Sequence, residues 1–147
     1  MEAVIFIGLQ GSGKSTFYKE RFFDTHVRIN LDMLRTRHRE QLLFNACIEA
    51  KQPFVVDNTN VTREQRARYI TASKPERFKL TGYFFETAIE DAIKRNSSRS
   101  GKKRIPERGI SATHKKLEMP SLEEGFDLLY RVHIDSSNNF VVMEWRE

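Results

Sequence analysis

Cysteine is nearly missing from this chain of 147 residues. Cys47 stands alone, which excludes an internal disulfide framework and favours a reducing compartment, so the expected location is cytoplasmic. Four histidines (His26, His38, His114, His133) without metal spacing make a structural zinc site an unattractive reading. No apolar run approaches the roughly 20 residues that a membrane helix needs, so no membrane partner is expected. The opening segment, Met1-Glu2-Ala3-Val4-Ile5-Phe6-Ile7-Gly8, has no basic lead and no small-residue cleavage site; it reads as a first strand rather than a signal peptide. Internal repeats and low-complexity tracts are also lacking. What is present is the composition of a globular domain: 39% hydrophobic and 31% charged residues. A single domain over residues 1–147 is expected from the length. The net charge of +5 suggests an anionic partner.

The pattern of elements alternates. Strands are expected at Ala3–Ile7, Val27–Asn30, Pro53–Val56 and Phe78–Phe85, between helices at Lys14–Phe22, about Leu34–Lys51, Arg63 to about Ser73 after a Thr62 cap, and Glu90–Ser98. Ser97–Gly109 reads as a loop rich in glycine, serine and basic residues and poor in apolar anchors, ordered only by contact with something anionic. Two late strands, Tyr130–Asp135 and Phe140–Trp145, flank the turn-forming Ser136-Ser137-Asn138-Asn139. The fold class is therefore α/β: a central, mostly parallel sheet flanked by helices, with a C-terminal antiparallel hairpin.

Gly8-Leu9-Gln10-Gly11-Ser12-Gly13-Lys14-Ser15 matches G-x-x-x-x-G-K-[ST] in full, and Thr16 follows. The glycines let backbone N–H groups curl around phosphate oxygens, and the helix that begins at Lys14 points its positive end at the same anion. Lys14 is suited to the β- and γ-phosphates of ATP, and Ser15 to a place on Mg²⁺. Gly8, Gly11, Ser12, Gly13, Lys14, Ser15 and Thr16 are the expected nucleotide-binding residues, with a strand before them and a helix after.

A P-loop alone does not separate ATPases, GTPases and kinases. Three polar clusters bear on that choice. Asn30-Leu31-Asp32-Met33-Leu34-Arg35 follows the second strand, where Asp32 can accept a proton from an acceptor hydroxyl and Arg35 can bind an acceptor phosphate. The alternative is that Asp32 caps the next helix and Arg35 is merely solvated. Asp57-Asn58-Thr59-Asn60 closes the third strand, either as a polar site or as a turn with a helix cap. Arg95-Asn96-Ser97-Ser98-Arg99 opens the basic loop; Arg95 and Arg99, spaced i and i+4, can close over phosphate oxygens or form a solvated face.

The order GLQGSGKS, NLDMLR, VVDNTN, KRNSSR resembles the kinase domain of polynucleotide 5′-hydroxyl kinases, known from bacteriophage, animal polynucleotide kinase-phosphatases and bacterial RNA repair enzymes. Met119-Pro120-Ser121-Leu122-Glu123-Glu124-Gly125-Phe126-Asp127 resembles the P-x-x-x-E-G-F segment of the animal enzymes. The resemblance runs from Ile5 to about Ile134 and implies a P-loop kinase fold with ATP and Mg²⁺ as cofactors. It implies Lys14 and Ser15 on ATP and Mg²⁺, and Asp32 as general base on the 5′-hydroxyl of an RNA or DNA end. It further implies Arg35 on the 3′ phosphate, Asp57, Asn58, Thr59 and Asn60 along the acceptor, and Arg95 and Arg99 in a lid spanning approximately 95–109. No D-x-D-G phosphatase motif and no K-x-D-G ligase motif is present. Val55-Val56-Asp57 also has the form of a Walker B strand, which leaves Asp57 open between metal and acceptor. A kinase of a small metabolite or nucleoside, and a non-catalytic nucleotide-binding module, are the rival readings.

Overall fold

A strand whose residues are apolar without alternation belongs where both faces are covered. Ala3-Val4-Ile5-Phe6-Ile7 meets that description. In the computed structural model, which describes residues 1–101 and 104–146, these five side chains are fully buried at the centre of a six-stranded sheet. β1 (Glu2–Ile7) pairs in parallel with β3 (Phe54–Val56) on one side and with β4 (Lys79–Phe85) on the other. β2 (Val27–Ile29) extends the sheet beyond β3, and β5 (Leu128–Ile134) extends it beyond β4, both in parallel. β6 (Phe140–Glu144) closes the far edge antiparallel to β5. The order β2-β3-β1-β4-β5-β6 means that the chain winds to one side of β1 and then crosses to the other. Such a reversal opens a crevice at the carboxyl end of the central strand, where α/β sheets bind ligands.

The two faces of β1 anchor different helices. Ala3, Ile5 and Ile7 pack with Phe44 and Cys47 of α3 (Arg37–Ala50) and with Tyr69 and Ile70 of α4 (Arg63–Ser73). Val4 and Phe6 pack with Phe17 and Tyr18 of α1 (Lys14–Arg21), together with Phe22, Phe85 and Val132. Edge-to-face rings bind α1 to the sheet: Phe6–Phe17 at 5.8 Å, Phe17–Phe85 at 5.3 Å and Phe17–Phe140 at 5.1 Å between centroids. The helix that follows the phosphate loop is thus held by the buried centre of the sheet. Among the described residues, no helix is long and apolar enough to cross a membrane.

Two expectations need correction. The helix expected from about Leu34 to Lys51 begins only at Arg37, as α3, and a separate short helix precedes it: α2 (Leu31–Leu34) ends at Arg35, whose φ of +76° no right-handed helix can use, and Thr36 then accepts from Arg39 N to start α3. The basic stretch expected as loop from Ser97 to Gly109 is loop only in part. α5 (Ile89–Ser97) enters it and α6 (Glu107–Lys116) leaves it. The buried Asn96 side chain clasps the segment by donating to Ile105 O and accepting from Ile105 N at 2.7 Å. Lys102 and Lys103, within the expected lid, lie outside the described residues. The capped helix expected after Thr62 forms as α4, with a complete Thr62–Gln65 capping box.

The Glu-Glu-Gly-Phe segment has a structural task. Arg66 of α4 is fully buried and bridges both oxygens of Glu124, Nε to Oε1 at 2.7 Å and one terminal nitrogen to Oε2 at 3.1 Å. Its other terminal nitrogen donates to Asn60 O at 3.0 Å, and Asn60 Nδ2 donates to Phe6 O at 2.8 Å. Removing one partner of such a pair strands a buried charge, a loss of about 3–5 kcal/mol, whereas replacing both by apolar residues is far milder. Glu124→Gln should therefore lower stability by about 3 kcal/mol or more, and Arg66→Met with Glu124→Leu should lose much less. Urea unfolding of the three proteins checks this; a loss below about 1 kcal/mol in the single variant would contradict it.

Candidate active site

β1 delivers the chain into the crevice at Gly8, whose N–H donates to Thr59 O at 2.9 Å. The loop then turns on two left-handed glycines, Gly11 at φ +79° and Gly13 at φ +95°. A Cβ on Gly11 would sit 2.5 Å from Ala92 O, and one on Gly13 would press on Ile134 and Phe140 at 3.1 Å. Both positions therefore exclude other residues on conformation and space alike. Lys14 follows, only 9% exposed. Its ammonium donates to Gly8 O at 2.9 Å, Leu9 O at 2.7 Å and Ser12 Oγ at 3.4 Å, all neutral acceptors. Burial pulls its pKa down to about 8, and the Asp57 carboxylate opposes this; the Arg99 guanidinium adds to the fall and the Asp32 carboxylate resists it. A cation desolvated in a glycine cradle and, among the described residues, balanced by no directly bonded anion fits a phosphate chain.

The same interactions show what the fold gathers. Lys14 from the loop, Asp57 from the end of β3, Asp32 from α2 and Arg99 from beyond α5 lie within one electrostatic neighbourhood, although up to 85 residues separate them in sequence. Asp57, 2% exposed, accepts from Ser15 Oγ at 3.2 Å through Oδ2. That contact places Asp57 on the Ser15 side of the site. A serine hydroxyl beside a buried carboxylate is a hard oxygen pair that fits Mg²⁺. Among the described residues, no group of three or more His, Cys, Asp or Glu side chains could hold a metal. An ion at Ser15 and Asp57 would thus draw its remaining ligands from phosphate and water.

The ends of β2 and β3 are laced together. Asn30 Nδ2 donates to Asp57 O at 2.6 Å, and Leu31 N donates to Asn58 Oδ1 at 2.8 Å. Asn30 Oδ1 also accepts from Met33 N at 2.9 Å and so caps α2. The cap is Asn30 and not Asp32, which leaves the exposed Asp32 carboxylate out of that task. Arg35, also exposed, is the strained residue at which α2 stops. Asn58 Nδ2 donates to Glu40 Oε2 at 3.0 Å. Thr59 serves the loop by its carbonyl on Gly8, and Asn60 ties to β1 by its side chain on Phe6 O. Thr16 is exposed beside Ser15, Ser12 is buried under Lys14, and Arg95 is half-buried on α5 one turn before Arg99.

Several residues of the site escape sequence reasoning. Glu40 is 2% exposed and accepts from Tyr69 OH at 2.9 Å and Arg37 at 2.8 Å, besides Asn58. Its register with Phe44 and Cys47, at i+4 and i+7, was the available signal. Burial and the Glu40 carboxylate push the Tyr69 phenol up to about 12, so it remains a donor. Arg28, a charge inside the apolar β2, bonds to Asp57 and Ser15. Leu9 packs with Ala92 of α5 and Ile110 of α6, and Gln10 Nε2 donates to Thr113 of α6 at 3.1 Å.

Residues 39–120 match the family model described as an AAA domain, more than half of the chain. The chain belongs to the AAA domain family. This AAA domain is 30% identical over 132 residues to the bifunctional polynucleotide phosphatase/kinase of Schizosaccharomyces pombe, which bears out the resemblance seen in the motifs. The match takes in 85% of the chain but 32% of the relative, so the chain spans about a third of that protein's length. Among solved structures, the AAA domain superposes on Kti12 of Chaetomium thermophilum in complex with ADP-AlF3 with a TM-score of 0.67 at 17% identity, over 92% of each chain. It superposes on a gluconokinase from Sinorhizobium meliloti 1021 with a TM-score of 0.64 at 18% identity, over 90% of this chain and 82% of that one. The fold is that of the P-loop kinases.

The Lys14 shift has a measurable sign. Between pH 8 and 10.5 the folded chain holds fewer protons at Lys14 than the unfolded chain, so its burial opposes folding below pH 8 and the opposition fades as pH rises. Phosphate contact favours the charged amine. Nucleotide binding near pH 8.5 should therefore take up protons, and affinity should fall as pH rises through about 8. Calorimetry of ADP binding in two buffers of different ionisation enthalpy measures the uptake. Proton release at that pH would contradict the assignment.

Proposed function

We propose that this protein transfers the γ-phosphoryl group of ATP to the 5′-hydroxyl of a nucleic acid. The observation that carries this reading is the convergence of Asp32 and Arg99 on Lys14. A carboxylate with no capping duty and a guanidinium from the far side of the chain share the field of a phosphate-loop lysine. The S. pombe relative, named a polynucleotide phosphatase/kinase, supports the acceptor class.

The roles follow from charge and position. The N–H groups of residues 11–15 and the Lys14 ammonium would hold the phosphate chain, with Thr16 beside it. Ser15 and Asp57 would hold a magnesium ion, which when bound neutralises charge on the β- and γ-phosphate oxygens. Asp32 would take the proton of the 5′-hydroxyl as that oxygen bonds to the γ-phosphorus; the bond from the γ-phosphorus to the bridging oxygen breaks, and ADP leaves with the electron pair. Arg99 and Arg95 would spread positive charge over the equatorial oxygens while the transfer proceeds. Arg35 would bind the phosphate 3′ to the reacting nucleotide, bidentate geometry being available only to a guanidinium. Asn58 would orient this half of the site through Leu31 and Glu40, while Thr59 and Asn60 support the loop beneath the acceptor.

Asp32→Asn keeps the shape of the side chain and removes its basicity. It should leave ADP affinity unchanged and cut turnover about 10²-fold or more. Arg35→Ala should erase a preference for nucleoside 3′-monophosphate or oligonucleotide over bare nucleoside, a preference of about 10- to 150-fold in kcat/KM for one charge-assisted contact. Radiolabelled transfer to the three acceptors by both variants and the parent decides. Equal parental rates on nucleoside and nucleoside 3′-monophosphate would transfer the reading to a small-molecule kinase. No transfer to any acceptor, with ADP bound, would make the chain a nucleotide-binding module.

A further inference from the structure

Arg28 lies at the middle of β2, and its guanidinium reaches the foot of α1. Nε donates to Asp57 Oδ2 at 2.9 Å. One terminal nitrogen is 2.8 Å from the same oxygen and donates to Ser15 Oγ at 2.9 Å. Ser15 Oγ in turn donates to Asp57 Oδ2. These are the two oxygen groups assigned above to the divalent ion, and Arg28 draws on both. A serine hydroxyl has one proton and two lone pairs. Here the proton serves Asp57 and one lone pair serves Arg28. Oδ2 already accepts from both Arg28 and Ser15.

The two partners differ in freedom. The Asp57 side chain is 1% exposed, while that of Arg28 is 25% exposed. The buried Tyr18 ring, 5.9 Å from the guanidinium carbon, offers Arg28 an aromatic face. Asp57 is therefore fixed, and Arg28 is the member with room to move. A divalent ion and a guanidinium cannot share one buried carboxylate oxygen without strong repulsion, and the Lys14 ammonium adds a second positive charge nearby.

We propose that Arg28 is the resident counter-charge of the divalent-cation position, so that the ion enters efficiently only when carried on a nucleotide and Arg28 swings aside as it does. The inference rests on the phosphate-loop reading above. An ion arriving alone gains two protein oxygens and must displace the guanidinium. An ion arriving on β- and γ-phosphates brings its own anionic ligands, and these offset the displacement. Arg28 then acts as a filter against free divalent ions and keeps Asp57 neutralised between turnovers. It is a positioning residue, since it touches the groups that hold the ion and not the reacting atoms.

The test uses Mn²⁺ as the probe, with free ion counted by electron paramagnetic resonance. Arg28→Met keeps much of the side-chain length and removes the charge. It should bind Mn²⁺ alone about tenfold or more tightly than the parent, the factor that one charge-assisted hydrogen bond corresponds to. Its affinity for ADP in the presence of a chelator should not rise. Ser15→Ala added to Arg28→Met should abolish the gain, which locates the ion. Unchanged or weaker Mn²⁺ binding in a folded Arg28→Met protein would overturn the proposal and leave Arg28 as a structural partner of Asp57. Should that variant not fold, the parent decides. With ¹⁵N-labelled arginine, the Arg28 Nε–H resonance should persist with ADP alone or millimolar Mg²⁺ alone and be displaced by both together. Its persistence at saturating Mg²⁺ and ADP would also overturn the proposal. A parent that binds neither ADP nor ADP with Mg²⁺ defeats the nucleotide reading instead, and the comparison of Mn²⁺ binding then stands separately.

Discussion

A single desolvated ammonium organises this molecule. Lys14 is buried against carbonyls of its own loop, in an environment that favours the neutral amine, and only structure around it keeps that arrangement in place. The loop keeps its shape because β1 is buried on both faces, because two glycines take left-handed turns, and because rings from three strands grip Phe17 of α1. The core is thus spent on holding a charge where an anion can reach it. Its excess positive field in turn explains why carboxylates from α2 and β3 belong nearby.

The half of the site that carries Asp32 and Arg35 hangs on a different kind of bond. Asn30, Asp57, Asn58, Glu40, Tyr69 and Arg37 form one polar network across β2, β3, α3 and α4. Each buried polar group there has a partner, and such networks rigidify when every member is satisfied. α2 is only four residues long and has no fully buried side chain, and its apolar hold on the core is the half-buried Leu34. The helix is also held by Asn30 at its start and by Asn58 on Leu31 N. The positions of Asp32 and Arg35 therefore depend on two side-chain amides together with the single apolar anchor Leu34.

How much of this was legible follows from the range of the signals. The P-loop, the six strands and the Thr62 cap depend on local spacing, and all could be read from neighbouring residues. The break at Arg35 could not, because the segment after it keeps helical periodicity and nothing nearby announces a positive φ. α6 was hidden because Pro106, Gly109 and a run of basic residues have loop composition, while Ile110 is its only fully buried anchor. In the site, Lys14, Ser15, Asp32 and Asp57 were visible as chemistry at strand ends. Arg28 and Glu40 were not, because an arginine in a three-residue strand and a glutamate on a helix gain their meaning from partners 13 to 29 residues away. The Glu-Glu-Gly-Phe segment was visible only as a pattern; its bond to Arg66 required the tertiary fold.

The unspecified letters of the phosphate-loop motif are not free in this protein. Leu9 is the floor on which α5 and α6 rest, and Gln10 reaches Thr113. A displacement of the helical pair that flanks the basic segment is therefore a displacement of the loop's own backbone. In modular terms, the loop and the two helices are one unit: a chimera that exchanges α5 and α6 must take positions 9 and 10 with them, or lose the seam that joins those helices to the loop.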